Sequence, residues 1–210
     1  MHSRRAATSV LLATALIAAA FAAGAQDRMP PLPKEQLTEE QTQALAEFVA
    51  ARGQPTGPWI ALLRSPELMT RTRGLSDYLR FESVLPGYLR ELAILMTARQ
   101  WGQSYEWNAH YPLAIDEGFS AEAAQAIAEG RRPEAMVEEE EILYDLVMEL
   151  QRNHSVSDAT YARAVERFGE QGVVETVSLV GYYTMISMIL NTARTPLPAD
   201  AVPALAPFPY

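Results

Sequence analysis

The chain has no cysteine. Disulfides, thiolate nucleophiles and thiolate metal ligands are all excluded, so stability has to come from packing. Histidine is almost as scarce. Of three, His2 lies in the first few residues, which leaves only His110 and His154 in the body of the chain. Two histidines make a poor metal set, since any site would need mostly carboxylates. Basic residues are the minority, 17 Lys and Arg against 26 Asp and Glu, for a formal charge of −9. An acidic surface repels phosphate backbones and argues against a nucleic-acid partner. Strand signals are missing too: no run alternates with period two for long, and no Asn-Gly or Asp-Gly separates β-branched segments. After the N-terminal run, no segment has the uninterrupted apolar length expected of a membrane span.

What is present begins with a leader. "MHSRR" is basic, "ATSVLLATALIAAAFAAG" is uncharged and apolar, and "AGA" supplies small residues before Gln26. That order predicts a secretory signal peptide over residues 1–25, cleaved after Ala25. An uncleaved anchor helix is the alternative, because the run is nearly long enough to span a bilayer. The residues around Arg4 and Arg5 give little support to a twin-arginine signal. Cleavage removes these two arginines and no acid, taking the formal charge from −9 to −11. An exported protein, periplasmic or secreted, is the expectation, with no membrane contact once the signal is gone.

The remainder is sized for one domain. Residues 26–37 form a proline-rich arm, expected to be extended, and 196–210 a proline-rich tail. Between them, 38–195 reads as helices. Thr38 is placed to cap "LTEEQTQALAEFVAARG", which stops at Gly53. "WIALLRSPELM" is broken at Pro66, and "ELMTRTRGLSDYLRFES" carries helix towards Leu85. "LPGYLRELAILMTARQWG" starts on Pro86 and stops near Gly102. "SYEWNAHYPLAIDEG" bends at Pro112 and stops at Gly118. Ser120 caps "AEAAQAIAEG", a further helix starts near Pro133, and Ser157 caps one that stops at Gly169. "VVETVSLVGYYTMISMILNTAR" is β-branched enough to resemble a strand, but its length and position predict the central buried helix. The fold class is all-α, a single-domain helical bundle.

Chemistry concentrates in "SYEWNAH". Gln103, Glu106, Trp107 and His110 share one helical face. Glu91 sits in the preceding helix among Ile94, Leu95 and Ala98, an acid within an apolar stripe. Such an acid either reaches out at an edge or is buried with a partner, where desolvation raises its pKa. A hairpin at Gly102 would bring Glu91 towards Glu106 and His110. Three readings stay open on spacing alone: a catalytic group, a surface i,i+4 pair worth a few tenths of a kcal/mol, or a metal site. The last lacks the second histidine of H-E-x-x-H. Glu138 to Glu141 reads as a solvated helix start favoured by the macrodipole. Met185 and Met188 read as core filler. Tyr182, Tyr183 and Asn191 are ambiguous, because buried hydroxyls need partners and a polar pocket would provide them.

With those residues in view, "LPGYLRELAILMTARQWGQSYEWNAHYPLAIDEGFS" resembles the core of the carboxymuconolactone decarboxylase family, whose superfamily includes the AhpD-like alkylhydroperoxidases. The likeness extends through "VSDATYARAVERFGEQGVVETVSLVGYYTMISMILNTARTPLP". In the AhpD branch a C-x-x-C pair precedes the histidine, and those cysteine positions fall here on Gln103 and Glu106. Disulfide-based peroxidase chemistry cannot run through that motif without thiols. Glu91, Glu106 and His110 match the acid–acid–histidine version found in the decarboxylase branch. The resemblance implies an all-helical trimer or hexamer with sites near subunit contacts. It also implies a cofactor-free, metal-free lyase or isomerase acting on a small carboxylated lactone or ring acid.

In that scheme His110 donates the proton or stabilises an enolate, Glu106 orients and tunes the imidazole, and Glu91 is a second acid or base. Tyr105 and Trp107 shape the pocket. Gln103, Tyr183 and Asn191 contact substrate, and Arg99 supplies the counter-charge for an anion. The alternative class is an exported helical binding or assembly protein that kept the fold without the chemistry. A peroxide-defence role is a third, weakened by the missing cysteines.

Overall fold

Caps and stops set the helix boundaries in the computed structural model, which describes residues 27–201 and Leu205. The predicted leader and most of the proline-rich tail lie outside the described residues. Among the described residues, eight α-helices follow in order: α1 Glu39–Arg52, α2 Pro58–Leu62, α3 Pro66–Asp77, α4 Gly87–Gln100, α5 Ser104–Asp116, α6 Ala121–Ala128, α7 Glu138–Asn153 and α8 Asp158–Ala193. No strand occurs among them.

Thr38 caps α1 in a reciprocal capping box with Gln41, and Gly53 ends it at φ 80°. An arrangement of this kind is worth about 1 kcal/mol. Ser120 and Ser157 cap α6 and α8 as expected. Gly169 breaks α8 with φ 71°, and helix resumes beyond it. The β-branched stretch after Gly172 is therefore helical, because its side chains pack into the bundle.

Three boundaries differ from the sequence expectation. The helix expected near Pro133 starts at Glu138, where Glu140 accepts a hydrogen bond from the Val137 N–H at 3.0 Å. The N-terminal arm carries a single 3-10 turn, Lys34–Gln36. Beyond α3 the chain continues as a π-helical turn, Tyr78–Glu82. Wider turns of this kind recur at functional sites, where they re-aim side chains.

The central element is α4 rather than α8. Leu89, Leu92, Ala93, Ile94 and Leu95 are wholly buried, as befits a helix apolar on nearly all sides. It packs on α5, α7 and α8. The expectation of no later membrane-length apolar segment needs correcting: α8 is long and apolar enough to cross a bilayer by length and composition. More than half of its apolar window is buried inside the bundle, so that character is explained by the core.

Candidate active site

The antiparallel pair α4–α5 brings the predicted acids and histidine together. Gly102, at φ 56°, makes the turn between the helices. Gln103 then caps α5, accepting from the Tyr105 N–H at 2.7 Å. Glu91 projects from α4, while Glu106 and His110 lie one turn apart on α5. All three are buried. His110 Nδ1 is 2.7 Å from Glu91 Oε2, and His110 Nε2 is 3.5 Å from Glu106 Oε2. The imidazole thus lies between two carboxyl groups. Nδ1 donates to Glu91, and Nε2 faces Glu106.

Burial pushes the Glu106 carboxyl above its ordinary value, and the charge of Glu91 adds to the rise. The positive charges of His110 and Arg80 oppose it without cancelling it. A carboxyl held up this way keeps its proton at higher pH and can donate it. The Tyr183 ring meets His110 edge-on, with centroids 5.0 Å apart. Burial pushes the Tyr183 hydroxyl well above its ordinary value and that of Tyr182 up to about 12, so neither is a base near neutrality.

Glu106 and His110 line a cavity of about 180 Å³ that reaches the surface beside exposed Ala109. Its other walls come from distant segments: Arg52 of α1, Trp59 of α2, Arg80 of the π-helical turn, and Tyr182 and Tyr183 of α8. Tyr105 closes one side, with Gly57 packed against it. A Cβ on Gly57 would fall 2.4 Å from Tyr105 Cε1, at a position that also has φ 55°. Only glycine fits there without displacing the ring. Glu91 is behind the imidazole rather than on the cavity wall, so the orienting role expected of Glu106 falls to Glu91, which accepts from Nδ1.

Among the residues expected to contact substrate, Tyr105 and Tyr183 line the cavity, and four do not. Gln103 donates to Asn191 Oδ1 at 2.9 Å, and Asn191 donates to the Trp101 carbonyl at 3.1 Å. This pair ties the α4–α5 turn to α8, which explains two polar residues without a substrate. Trp107 is buried against Tyr111, with ring centroids 6.2 Å apart. Arg99 lines a separate small cavity with Met96, Ile127, Tyr144 and Arg152. The cations of the candidate site are instead Arg52 and Arg80. The one signal for Arg80 was its place in "YLRFE", a cation between apolar and aromatic neighbours. Among the described residues, no group of His, Asp and Glu is arranged to hold a metal ion.

An all-α bundle with a carboxyl–imidazole–carboxyl site on a helical hairpin is the class that fold and geometry define. Solved structures that share the fold include two peroxidase-related proteins. One is an uncharacterized peroxidase-related protein from Silicibacter sp. TM1040, with TM-score 0.68 and 13% identity over 83% of this chain and 94% of that one. The other is described as an alkylhydroperoxidase AhpD core, an uncharacterized peroxidase-related protein from Ralstonia eutropha JMP134. It gives TM-score 0.66 and 15% identity over 84% of this chain and 95% of its own. No protein-family model matches the chain, and no curated protein matches it. The fold is AhpD-like.

Proposed function

We propose that this protein is a cofactor-free acid–base enzyme, a lyase or isomerase acting on a small carboxylated lactone or related ring acid. The observation that carries the reading is His110 held between Glu91 and Glu106, with its Nε2 side facing a cavity. The substrate class comes from the family resemblance and the cavity's small size.

Glu91 fixes the ring and its tautomer from behind, as a carboxylate does for a catalytic imidazole. Glu106 and His110 exchange the proton on the cavity side. In decarboxylation the bond between the ring carbon and the carboxylate breaks and carbon dioxide leaves. The electron pair moves into the conjugated lactone carbonyl as an enolate. Glu106, whose burial favours the protonated form, returns a proton to the carbon, directly or through His110, and is refilled from water. Isomerisation uses the same pair, one proton removed from one carbon and returned to another.

Thiol peroxidase chemistry has no support in this chain, because it contains no cysteine. Export through a cleaved leader and assembly as a trimer or hexamer complete the proposal. Light scattering on residues 26–210 tests the assembly.

The test of function is turnover of carboxylated γ-lactones by wild type, Glu106→Gln and His110→Gln, with hydroperoxide plus thiol in parallel. Glutamine is preferred to alanine at 110 because it leaves Glu91 a hydrogen-bond donor. Removing that partner would strand a buried carboxyl at several kcal/mol. Carbon dioxide release or isomerisation lost in both variants supports the enzyme. Activity unchanged in His110→Gln removes the catalytic assignment, and a silent but ligand-binding wild type favours the exported binding protein.

A further inference from the structure

An acidic protein with two carboxyls in its site needs a cation to hold an anionic substrate, and the structure offers two candidates. Arg52 is already engaged: it donates to Asp77 from Nε at 3.0 Å, pairs with the same carboxylate through Nη2, and reaches Ser76 Oγ at 3.2 Å. Its charge is largely compensated. Arg80 differs. Its side chain lines the cavity with Glu106 and His110, and its Nε is buried with no hydrogen-bond partner. Leaving a buried guanidinium N–H unmade is costly, and such a group points to a ligand that completes it. The planar guanidinium fork matches a carboxylate or enolate oxygen better than a point charge does.

The backbone that presents Arg80 is itself pinned. Tyr78 opens the π-helical turn and Ser83 follows it, and both hydroxyls donate to Glu175 of α8 at 2.6 Å. The Val84 N–H donates to the same carboxylate at 2.9 Å, and Gln171 does so at 2.8 Å. One buried carboxylate therefore fixes both ends of the turn.

We propose that Arg80 is the anion-binding residue of the cavity, taking an oxygen of a small carboxylic acid, and that Glu175 is its positioning residue. Which oxygen it serves rests on the acid–base reading above. A guanidinium on a departing carboxylate would stabilise the ground state and slow its loss. Arg80 therefore pairs with a carboxylate oxygen that stays on the substrate, and orients the ring while Glu106 and His110 handle the proton.

The experiment is calorimetric titration of 5-oxotetrahydrofuran-2-carboxylate and its uncharged N-methylamide into wild type, Arg80→Gln, Arg80→Lys and Glu175→Gln. Circular dichroism checks that each is folded. The acid is expected to bind wild type, and the amide at least several-fold more weakly. Arg80→Gln is expected to lose about tenfold in affinity for the acid, as loss of a charge-assisted hydrogen bond implies. Arg80→Lys, which keeps the charge without the fork, falls between and carries the test if the glutamine variant does not fold. In Glu175→Gln the preference for acid over amide shrinks, a readout that general loosening leaves unchanged.

Equal affinity of wild type and Arg80→Gln, equal affinity for acid and amide, or no binding of the acid by wild type overturns the anion site. An unchanged acid-over-amide preference in Glu175→Gln overturns the positioning role. Arg80-dependent binding without turnover in any variant keeps this site and rejects the enzyme. Turnover dependent on His110 and indifferent to Arg80 does the reverse.

Discussion

Replacing Glu175 by glutamine should destabilise the protein in a strongly pH-dependent way. Burial pushes the Glu175 carboxyl up, but hydrogen bonds from Ser83, Tyr78, Gln171 and Val84 together outweigh burial and bring it to about 2, from an ordinary 4.5. A folded value below the unfolded one adds stability that is complete above the unfolded pKa. It is lost as pH falls through the folded pKa. Each tenfold change in proton affinity is worth about 1.4 kcal/mol, so the carboxylate contributes about 3 kcal/mol near pH 7. By pH 3 the unfolded group is mostly protonated, and roughly 1 to 2 kcal/mol remains. Glutamine does not titrate, so the gap between wild type and Glu175→Gln should narrow by about that difference between pH 7 and pH 3. Urea unfolding at several pH values, read by circular dichroism, measures it directly. A gap constant with pH, or below about 1 kcal/mol at pH 7, refutes the assignment of four cooperating donors.

Other consequences follow from the same geometry. Glu106→Gln should stabilise the protein at pH 8 while abolishing turnover. Its folded pKa is raised, so the cost of ionising it is absent below the unfolded value and grows as pH rises through the folded one; thermal melts at pH 4 and pH 8 check the sign. Gly57→Ala should lower stability by about 1 to 3 kcal/mol, from positive φ and collision with Tyr105. Tyr105→Ala in the same chain should recover part of that loss in a double-mutant cycle. Thr38→Ala should cost about 1 kcal/mol by opening the capping box, measured by urea unfolding.

Much of the fold was legible because helix ends carry local chemistry. Thr38, Ser120 and Ser157 cap as a short polar residue before an acidic turn should, and Gly53, Gly118 and Gly169 stop or break helices at positive φ. The start of α7 was misplaced because the helix begins where Glu140 accepts from the N–H of its N-cap, Val137, rather than at Pro133. Glu91 in its apolar stripe demanded a partner, and His110 is that partner.

The cavity walls were less legible. Arg99, one turn before the end of α4, was expected to supply the counter-charge, yet it faces another cavity. Arg80 reaches the site through a π-helical turn whose geometry is set by Glu175, a residue 95 positions later. No local pattern announces a turn held from that distance. Gln103 and Asn191 looked like substrate contacts because their polar groups needed partners, and each is the other's.

The most direct test of the central claim is proton transfer to carbon. Carboxylated γ-lactones would be incubated in deuterium oxide with wild type and His110→Gln, and followed by proton NMR. The account predicts deuterium entering the ring carbon, with release of carbon dioxide or movement of the double bond, at a rate that collapses in the variant. A folded wild type that binds these acids and leaves every carbon-bound proton in place would contradict it.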